Sequence, residues 1–259
     1  MVGVKAQPVL SLHPTLLTDS PGKTRMSWLQ FPSVCQACRA WPSQRVCANC
    51  LNTSRPALPR CPRCALIHGE LVCPGLGDRW DLPWRSLHAS VTYEPPWSEW
   101  IQQLKFQGQV GLVHALADVM LHQPPPWLSV HSAIHFIPMP STRHRLQQRG
   151  FNLSDWLCHR LIRRRFTQAR VLHVLQRQAQ QTPQSQLRRD QRWANMANAF
   201  VPDPKAKSQP RLGTCVLVDD VMTTGATLMA AAMCLQECGV SDLQVWVLAR
   251  TPAPHEPSP

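Results

Sequence analysis

Residues 216–227 read Val-Leu-Val-Asp-Asp-Val-Met-Thr-Thr-Gly-Ala-Thr, and this segment predicts both a fold class and a site. Three apolar β-forming residues, 216–218, lead into two adjacent carboxylates. A short Thr/Gly loop follows, and a helical pattern then runs from Leu228 to Cys238. We therefore expect a strand that ends at the carboxylates, a loop and a helix N-terminus. Open α/β sheets bind their ligands at such places.

The loop after the carboxylates has the donors of a phosphate site. Backbone N–H groups at a helix N-terminus, together with the helix dipole, favour an anion, and Gly225 allows close approach of the backbone. Hydroxyl donors are supplied by Thr223, Thr224 and Thr227. Asp219 and Asp220 would repel a phosphate, but they suit ribose hydroxyls or a divalent cation that also contacts the ligand. The segment therefore predicts a ribose 5-phosphate site.

A second strand–loop–helix pattern lies earlier in the chain. Residues 133–137 predict a buried strand that ends at Pro138 and Pro140, and helical periodicity resumes over residues 151–161. The loop between them is basic, with Arg143, His144, Arg145 and Arg149. Guanidinium groups and backbone N–H groups are what a pyrophosphate requires. We expect this basic loop to lie beside the Asp219-Asp220 loop.

The rest of this part of the chain alternates strand and helix patterns. Strands are predicted at residues 90–93, 171–175 and 243–249, helices at residues 97–106, 110–121 and 187–193, and a mobile loop at residues 176–186. Such alternation is typical of an α/β fold with a parallel sheet and right-handed crossovers. We predict that this domain spans residues 85–250.

Seven of the eleven cysteines fall within residues 35–73 and form an internal repeat. The first unit consists of Cys35, Cys38, Cys47 and Cys50. Two such C-x2-C turns supply four thiolates to a tetrahedral, structural zinc ion. This unit predicts a zinc-ribbon module over residues 31–80, because a small segment with little apolar surface needs a metal to fold.

The second unit repeats the spacing but has only three of the four cysteines. Its members are Cys61, Cys64 and Cys73, and the fourth position holds Leu76. It is expected to hold metal weakly or not at all, with His68 or Asp78 as substitute ligands. An alternative is a single ion shared by Cys47, Cys50, Cys61 and Cys64. The remaining cysteines are predicted to be core residues, namely Cys158, Cys215, Cys234 and Cys238.

Charge and hydropathy indicate which kinds of partner and which cell compartment to expect. The net charge of +12, with a pI near 9.7, favours polyanionic partners. The densest basic run, at residues 160–165, is predicted to be the solvated face and end of a helix. No apolar stretch reaches the roughly 18 residues of a membrane helix, and no signal peptide is predicted. We expect a cytoplasmic protein with disordered residues 1–30 and 251–259, and Met26 is an alternative start.

The motifs resemble those of a known family. Residues 216–227 resemble the 5-phosphoribosyl 1-pyrophosphate (PRPP) motif of type I phosphoribosyltransferases. From about Trp28 to Arg250 the chain is similar to the ComF/GntX-like family, in which a zinc ribbon precedes a phosphoribosyltransferase-like domain. The other matching segments are Leu104-Lys105-Phe106, Pro138-Met139-Pro140, Arg143, Arg145, Arg149-Gly150-Phe151-Asn152, Gln184-x-x-Leu187 and Arg192-x-x-Asn195-x-x-x-Ala199-Phe200.

The resemblance implies a type I phosphoribosyltransferase-like parallel sheet that binds PRPP with Mg²⁺, and a link to DNA uptake or utilisation. It assigns the catalytic roles to Asp219, Asp220 and Arg149. The PRPP contacts it implies are Asp219, Asp220, Val221, Met222, Thr223, Thr224, Gly225, Ala226, Thr227, Arg143, Arg145 and Lys105. The ribose hydroxyls fall to the carboxylates and the pyrophosphate to the arginines. For Lys105, a helix lysine that extends to solvent is the competing interpretation.

Two other functions compete with an enzyme. The domain would bind PRPP or a nucleotide as a sensor, or the chain would be an adaptor for single-stranded DNA. In the adaptor, the zinc module and the Trp-rich first half of the chain would contact the DNA, because bases stack on indole rings. The chain has ten tryptophans, and those of the first half include Trp28, Trp41, Trp80, Trp84, Trp97 and Trp100. Several of these tryptophans suit a hydrophobic core equally well. The sequence predicts neither an acceptor base nor an oligomeric state.

Overall fold

A five-stranded sheet with all strands parallel forms the centre of the fold. Its strands are β1 Leu87–Thr92, β2 His135–Pro138, β3 Arg170–Val171, β6 Cys215–Met222 and β7 Leu243–Arg250. The spatial order is β1-β7-β6-β2-β3, so β6 lies between β7 and β2. Two short strands, β4 Leu175–Arg177 and β5 Phe200–Pro202, form a separate antiparallel pair. The predicted α/β class with a parallel sheet is confirmed.

The computed structural model describes residues 33–41, 44–54, 59–67, 73, 75, 81–129, 133–178, 199–204 and 213–253. All of them belong to one compact unit, residues 32–259. The described helices are α1 Ala48–Thr53, α2 Trp97–Phe106, α3 Leu112–His122, α4 Arg143–Arg149, α5 Leu153–Arg164 and α6 Ala226–Glu237. The predictions for residues 1–30, for the helix at 187–193, for most of the 176–186 loop and for residues 254–259 lie outside the described residues.

Apolar layers cover both faces of the sheet, as parallel sheets require. Alternate residues of β6 point to opposite faces: Val216 and Val218 join the cluster under α2, α3 and α5, whereas Leu217 joins the cluster under α6. All eight residues of β7 are buried. The middle of the sheet is therefore mostly apolar, and the two carboxylates of β6 lie toward the end of their strand.

Strand β6 extends beyond its predicted end. The prediction that the strand stops at the two carboxylates is wrong, because β7 continues alongside β6 as far as Arg250. Asp219 pairs with Val247 in register, and Met222 pairs with Arg250. Both carboxylates therefore project from a hydrogen-bonded strand, which holds them more rigidly than a loop would.

The basic loop predicted at residues 143–149 is the helix α4. Thr142 caps it through a hydrogen bond that its Oγ accepts from the Arg145 N–H at 3.3 Å. Gly150, at φ +77°, ends it in the left-handed conformation favoured at helix C-termini. The helix has no buried residue, so it lacks the apolar periodicity that predicts a helix.

Two further predictions need correction. The strand expected at residues 171–175 is two short strands, because β3 follows β2 for only two pairs before the chain turns to β4. Cys238 is exposed just after α6, whereas Cys158, Cys215 and Cys234 are buried as predicted.

The run at residues 160–165 is the end of α5, and its last three arginines are exposed as expected. None of the helices that the structure describes is long and apolar enough to cross a membrane.

Candidate functional site

Asp219 and Asp220 form the centre of the candidate site. Asp219 Oδ1 accepts hydrogen bonds from the Ser154 hydroxyl at 3.2 Å and from the Asp220 N–H at 2.8 Å. Asp220 Oδ1 lies 2.7 Å from Lys105 Nζ, with side chains 18% and 17% exposed. Burial and the adjacent Asp220 raise the pKa of Asp219 to about 7, against the opposing hydrogen bonds and the Lys105 charge. The two carboxylates thus differ: Asp220 is paired with the Lys105 ammonium group, whereas Asp219 has a raised pKa.

Lys105 does not match the competing interpretation of a helix lysine that extends to solvent. It comes from the last turn of α2 and points inward to Asp220, so it does not extend to solvent. Phe106, the next residue, is 72% exposed, and the Arg149 guanidinium lies 4.9 Å from the centre of its ring. The Leu104-Lys105-Phe106 segment therefore joins the carboxylate pair to the basic helix α4.

The Thr/Gly loop connects β6 to α6 at the same end of the sheet. Thr223 and Thr224 are exposed, and Gly225 at the N-cap of α6 has no side chain to cap the helix. The Thr224 hydroxyl oxygen accepts a 3.4 Å hydrogen bond from the Ala226 N–H. Gly225 has φ +82°, and a Cβ at this position would lie 2.7 Å from Met222 Cε. The positive φ favours glycine here, and any other residue would also displace the end of the Met222 side chain. The loop therefore presents hydroxyl groups, a helix N-terminus and close backbone access together, as an anion site does.

Helix α4 brings cations to this end of the sheet. Arg143 and Arg145 are exposed, and Arg149 is partly covered. Burial and the nearby Arg145 lower the pKa of Arg149, whereas Asp220 raises it. Asn152 caps α5 and donates a 2.9 Å hydrogen bond to the Met139 carbonyl, which fixes the turn after β2.

Arg177 and Ser154 are site residues that the sequence analysis missed. Arg177, on β4, stacks on the Phe200 ring at 5.4 Å, and its buried Nε has no hydrogen-bond partner among the residues that the structure describes. Burial and Arg145 lower the pKa of Arg177, and Asp219 raises it, so this cation lies among the site's own charges. A guanidinium with an unsatisfied donor suits an anionic ligand. No sequence signal marks Arg177, since β4 is only three residues long.

The buried Arg250 side chain holds the start of the Thr/Gly loop by hydrogen bonds to its backbone carbonyls. It is 6% exposed, and its guanidinium donates to the backbone carbonyls of Met222 at 3.2 Å and of Thr223. Its Nε donates at 2.9 Å to the carbonyl of Cys64. One buried side chain therefore connects the second cysteine unit to the candidate phosphate loop.

The first cysteine unit fits a tetrahedral metal. The four Sγ atoms of Cys35, Cys38, Cys47 and Cys50 all lie within 4.8 Å of one another. The Cys35–Cys50 and Cys38–Cys47 sulfur pairs are 4.0 and 3.6 Å apart. Four thiolates around one zinc ion are about 3.8 Å apart. Burial opposes ionisation, but N–H groups of Cys38, Cys47 and Ala37 lower the pKa of Cys35 to about 6.

The second unit repeats the backbone of the first. The residues that follow each first C-x2-C pair, Arg39 and Ala65, both have positive φ, at 63° and 58°. Each donates its N–H at 2.8 Å to the carbonyl of the first cysteine of its unit. A positive φ is unusual for these residue types, so its recurrence at matching positions extends the repeat from sequence to conformation.

Three buried thiols converge in the second unit. Cys61, Cys64 and Cys73 lie within 4.8 Å of one another, and burial, with Cys61 and Cys73 nearby, raises the pKa of Cys64 to about 12. The shared ion considered for Cys47, Cys50, Cys61 and Cys64 does not match this grouping, because the sulfur atoms cluster within each unit. Leu76, His68 and Asp78 lie outside the described residues, as do Gln184, Arg192 and Asn195.

Comparison with known proteins shows which protein families the chain resembles. Residues 162–258 match the phosphoribosyl transferase domain family. The chain is 33% identical to the DNA utilization protein YhgH of Escherichia coli (strain K12) over 233 residues, which cover 86% of this chain and 99% of that protein.

Two further relatives carry competence names. Competence protein F of Haemophilus influenzae is 33% identical over 167 residues, which cover 61% of this chain and 69% of that protein. Competence protein ComFC of Bacillus subtilis (strain 168) is 27% identical over 210 residues, which cover 76% and 80%.

Proposed function

The chain belongs to the ComF/GntX-like family of DNA-utilization and competence proteins, and from this premise we propose that it binds PRPP and serves DNA uptake or utilisation as a phosphoribosyltransferase-type protein. The observation that carries the proposal is the Asp219-Asp220 pair. The pair is fixed by Ser154 and Lys105 beside a Thr/Gly loop at a helix N-terminus.

PRPP would lie across the end of β6. Its 5-phosphate would accept hydrogen bonds from the backbone and hydroxyl groups of residues 223–227. The ribose hydroxyls would donate to Asp219 and Asp220. These donors favour the ionised form of Asp219, so PRPP binding would release a proton near neutral pH. Val221, Met222 and Ala226 would contribute backbone and shape.

The pyrophosphate would lie toward α4 and β4. Arg143 and Arg145 offer exposed guanidinium groups, and Arg149 and Arg177 offer partly desolvated ones. Lys105 would complete the set, because its ammonium group would contact a phosphate oxygen as well as Asp220. A bidentate guanidinium recognises phosphate more strongly than a neutral donor does, so these cations set both affinity and orientation.

Transfer would break the bond between C1 of the ribose and the pyrophosphate oxygen, and the bonding electrons would leave with pyrophosphate. C1 becomes oxocarbenium-like, and a nitrogen nucleophile of a base would then bond to it. Arg149 stabilises the leaving charge, and Asp219 and Asp220 hold the ribose in place. The oxygen ligands of the Asp pair suit Mg²⁺, which when bound would neutralise pyrophosphate charge.

We assign a structural zinc ion to Cys35, Cys38, Cys47 and Cys50, because their sulfur separations suit it. The three thiols Cys61, Cys64 and Cys73 would need a further ligand for a closed site. Thiolate ligation of this kind belongs in a reducing compartment, so we assign the protein to the cytoplasm.

The test of this function is complementation in a naturally competent bacterium that lacks its own gene of this family. The wild-type gene is expected to restore transformation, whereas Asp219→Asn/Asp220→Asn is expected to fail despite normal protein levels. Glu237→Gln, at the far end of α6, is the matched control and should restore it. Full restoration by the double Asp variant would refute a role for the ribose-phosphate site.

A specific observation favours a second candidate, direct binding of single-stranded DNA. Phe106 is exposed beside Arg149, and base stacking on an aromatic ring flanked by a cation is a common mode of such binding. Of the tryptophans proposed for this role, Trp84, Trp97 and Trp100 are buried core residues, and Trp41 is 63% exposed. Oligonucleotide anisotropy over a salt series tests it: Phe106→Ala should weaken binding, while Leu146→Ala, on α4, should not.

A further inference from the structure

Three metal-ligating side chains converge away from the cysteines. Asp155 and His159 lie one turn apart on α5, and His173 comes from the segment between β3 and β4. Their ligand atoms all lie within 4.8 Å of one another. An i, i+4 pair on a helix presents both side chains on one face, so two separate elements contribute to this cluster.

The two separations from the carboxylate suit ligand atoms around one ion. Asp155 Oδ1 is 3.3 Å from His173 Nε2 and 3.7 Å from His159 Nε2. Oxygen and nitrogen ligands about 2.0–2.1 Å from a zinc ion are about 3.4 Å apart in tetrahedral geometry. Both measured separations lie close to that value.

Hydrogen bonding leaves the carboxylate oxygen unexplained. Asp155 Oδ1 is buried, yet among the residues that the structure describes it has no hydrogen-bond partner, the two imidazoles included. Buried acceptors are almost always satisfied. A cation bound between the oxygen and the two Nε2 atoms would satisfy all three at once.

We propose that Asp155, His159 and His173 bind a divalent transition-metal ion of the zinc class, at a site separate from both cysteine units. The donor set of two imidazoles and one carboxylate is a common zinc set. The histidine side chains are 54% and 60% exposed. The ion therefore reaches the site from solvent and keeps at least one position open for water or an anion.

The site would connect two parts of the ribose-phosphate site. Asp155 follows Ser154, whose hydroxyl donates to Asp219, and His173 lies four residues before Arg177. An ion at this place would join α5 to the segment that leads into β4. We therefore expect metal binding to raise the thermal stability of the protein.

The experiment titrates Zn²⁺ into protein whose cysteine sites are already loaded with zinc, followed by calorimetry. Wild type should bind one more zinc ion per chain than His159→Ala/His173→Ala does. Asp155→Asn should bind this ion at least about tenfold more weakly, because it replaces an anionic ligand. His144→Ala, which removes an exposed histidine from α4, is the control and should match wild type.

Long-range ¹⁵N–¹H spectra of the imidazoles give an independent readout. Zn²⁺ should shift the Nε2 resonances of His159 and His173 and leave that of His144 in place. Equal zinc binding by wild type and the double histidine variant, or no zinc-dependent shift at these two nitrogens, would overturn the proposal and leave a histidine–aspartate ion pair. Circular dichroism identifies any variant that fails to fold, and the spectra of wild type then decide alone.

Discussion

Asp219 is a residue whose charge costs stability in the free protein. Its pKa is raised to about 7, so between the unfolded value of about 4 and pH 7 the folded state holds a proton that the unfolded state has released. Stability contributed by this group is therefore lost as pH rises through that window. Asn at the same position accepts the same hydrogen bonds without a charge.

We expect Asp219→Asn to stabilise the ligand-free protein by roughly 1–3 kcal/mol at pH 8 and by much less at pH 5. Urea unfolding at the two pH values measures the difference. An equal effect at both pH values would mean that Asp219 is ionised throughout, and its pKa is then not raised.

Arg177 combines a similar cost with a role in binding. Within the described part of the chain its buried Nε has no hydrogen-bond partner, and its guanidinium lies near Arg145. Arg177→Met should leave the ligand-free fold as stable or more stable, yet weaken PRPP binding about tenfold or more, because a hydrogen bond to a charged group contributes roughly 1.5–3 kcal/mol. Thermal unfolding and calorimetry measure the two effects. Unchanged PRPP affinity would remove Arg177 from the site.

At the scale of elements, the β6–loop–α6 unit depends on one backbone conformation. Gly225 has φ +82°, and an added methyl group meets Met222 Cε. Gly225→Ala should destabilise the fold by about 1–3 kcal/mol, the cost of such a conformation in a residue with a Cβ. It should also weaken PRPP binding more than Ala226→Gly, its neighbour control, does. Chemical unfolding with PRPP calorimetry tests both, and a neutral Gly225→Ala would contradict the assigned loop geometry.

The elements also explain what the sequence could and could not predict. The helix at residues 97–106 and the strand at 243–249 were predictable because they carry clear apolar patterns and become buried. Helix α4 was not, because it has no buried residue and is specified by its caps at Thr142 and Gly150. The extension of β6 through Asp219 depends on the neighbouring β7, which is a tertiary effect that no local pattern encodes.

The same limit applies to the site. Asp219, Asp220 and the Thr/Gly loop are contiguous in sequence, so a motif can mark them. Arg177 and Ser154 come from other elements and join the site only through the fold. Arg250 directly follows the strand predicted at residues 243–249, but its link between Cys64 and the loop carbonyls follows from its burial.

At the scale of the whole molecule, the hydrogen bonds of Arg250 predict that a change in the second cysteine unit alters PRPP binding. Arg250 holds the carbonyls of Cys64, Met222 and Thr223. Cys64→Ser, in the second unit, should therefore weaken PRPP binding severalfold, whereas Cys38→Ser, at the matching position of the first unit, should lower stability with little effect on PRPP. Calorimetry on both folded variants measures this. Equal effects on PRPP affinity would mean that the two units contribute only general stability.

We expect the first cysteine unit to need its metal ion in order to stay folded. Its residues pack on α3, where Arg45 Nη1 lies 3.0 Å from Asp118 Oδ2, and Val46 and Leu51 are buried against the core. Strong chelation should release at least one zinc ion per chain and lower Tm by several degrees, because metal binding at such sites contributes folding free energy. Metal analysis and thermal unfolding check both, and zinc-free protein of unchanged Tm would exclude a structural ion.

The most direct test of the central claim is calorimetry of PRPP with Mg²⁺, with wild type beside Asp219→Asn/Asp220→Asn and the control Glu237→Gln. We predict saturable binding to wild type and to the control, and its loss in the double Asp variant, which should remain folded. Wild-type protein that is folded and loaded with zinc but does not bind PRPP, or a double Asp variant that binds it as tightly as wild type, would contradict a ribose-phosphate site at the end of β6.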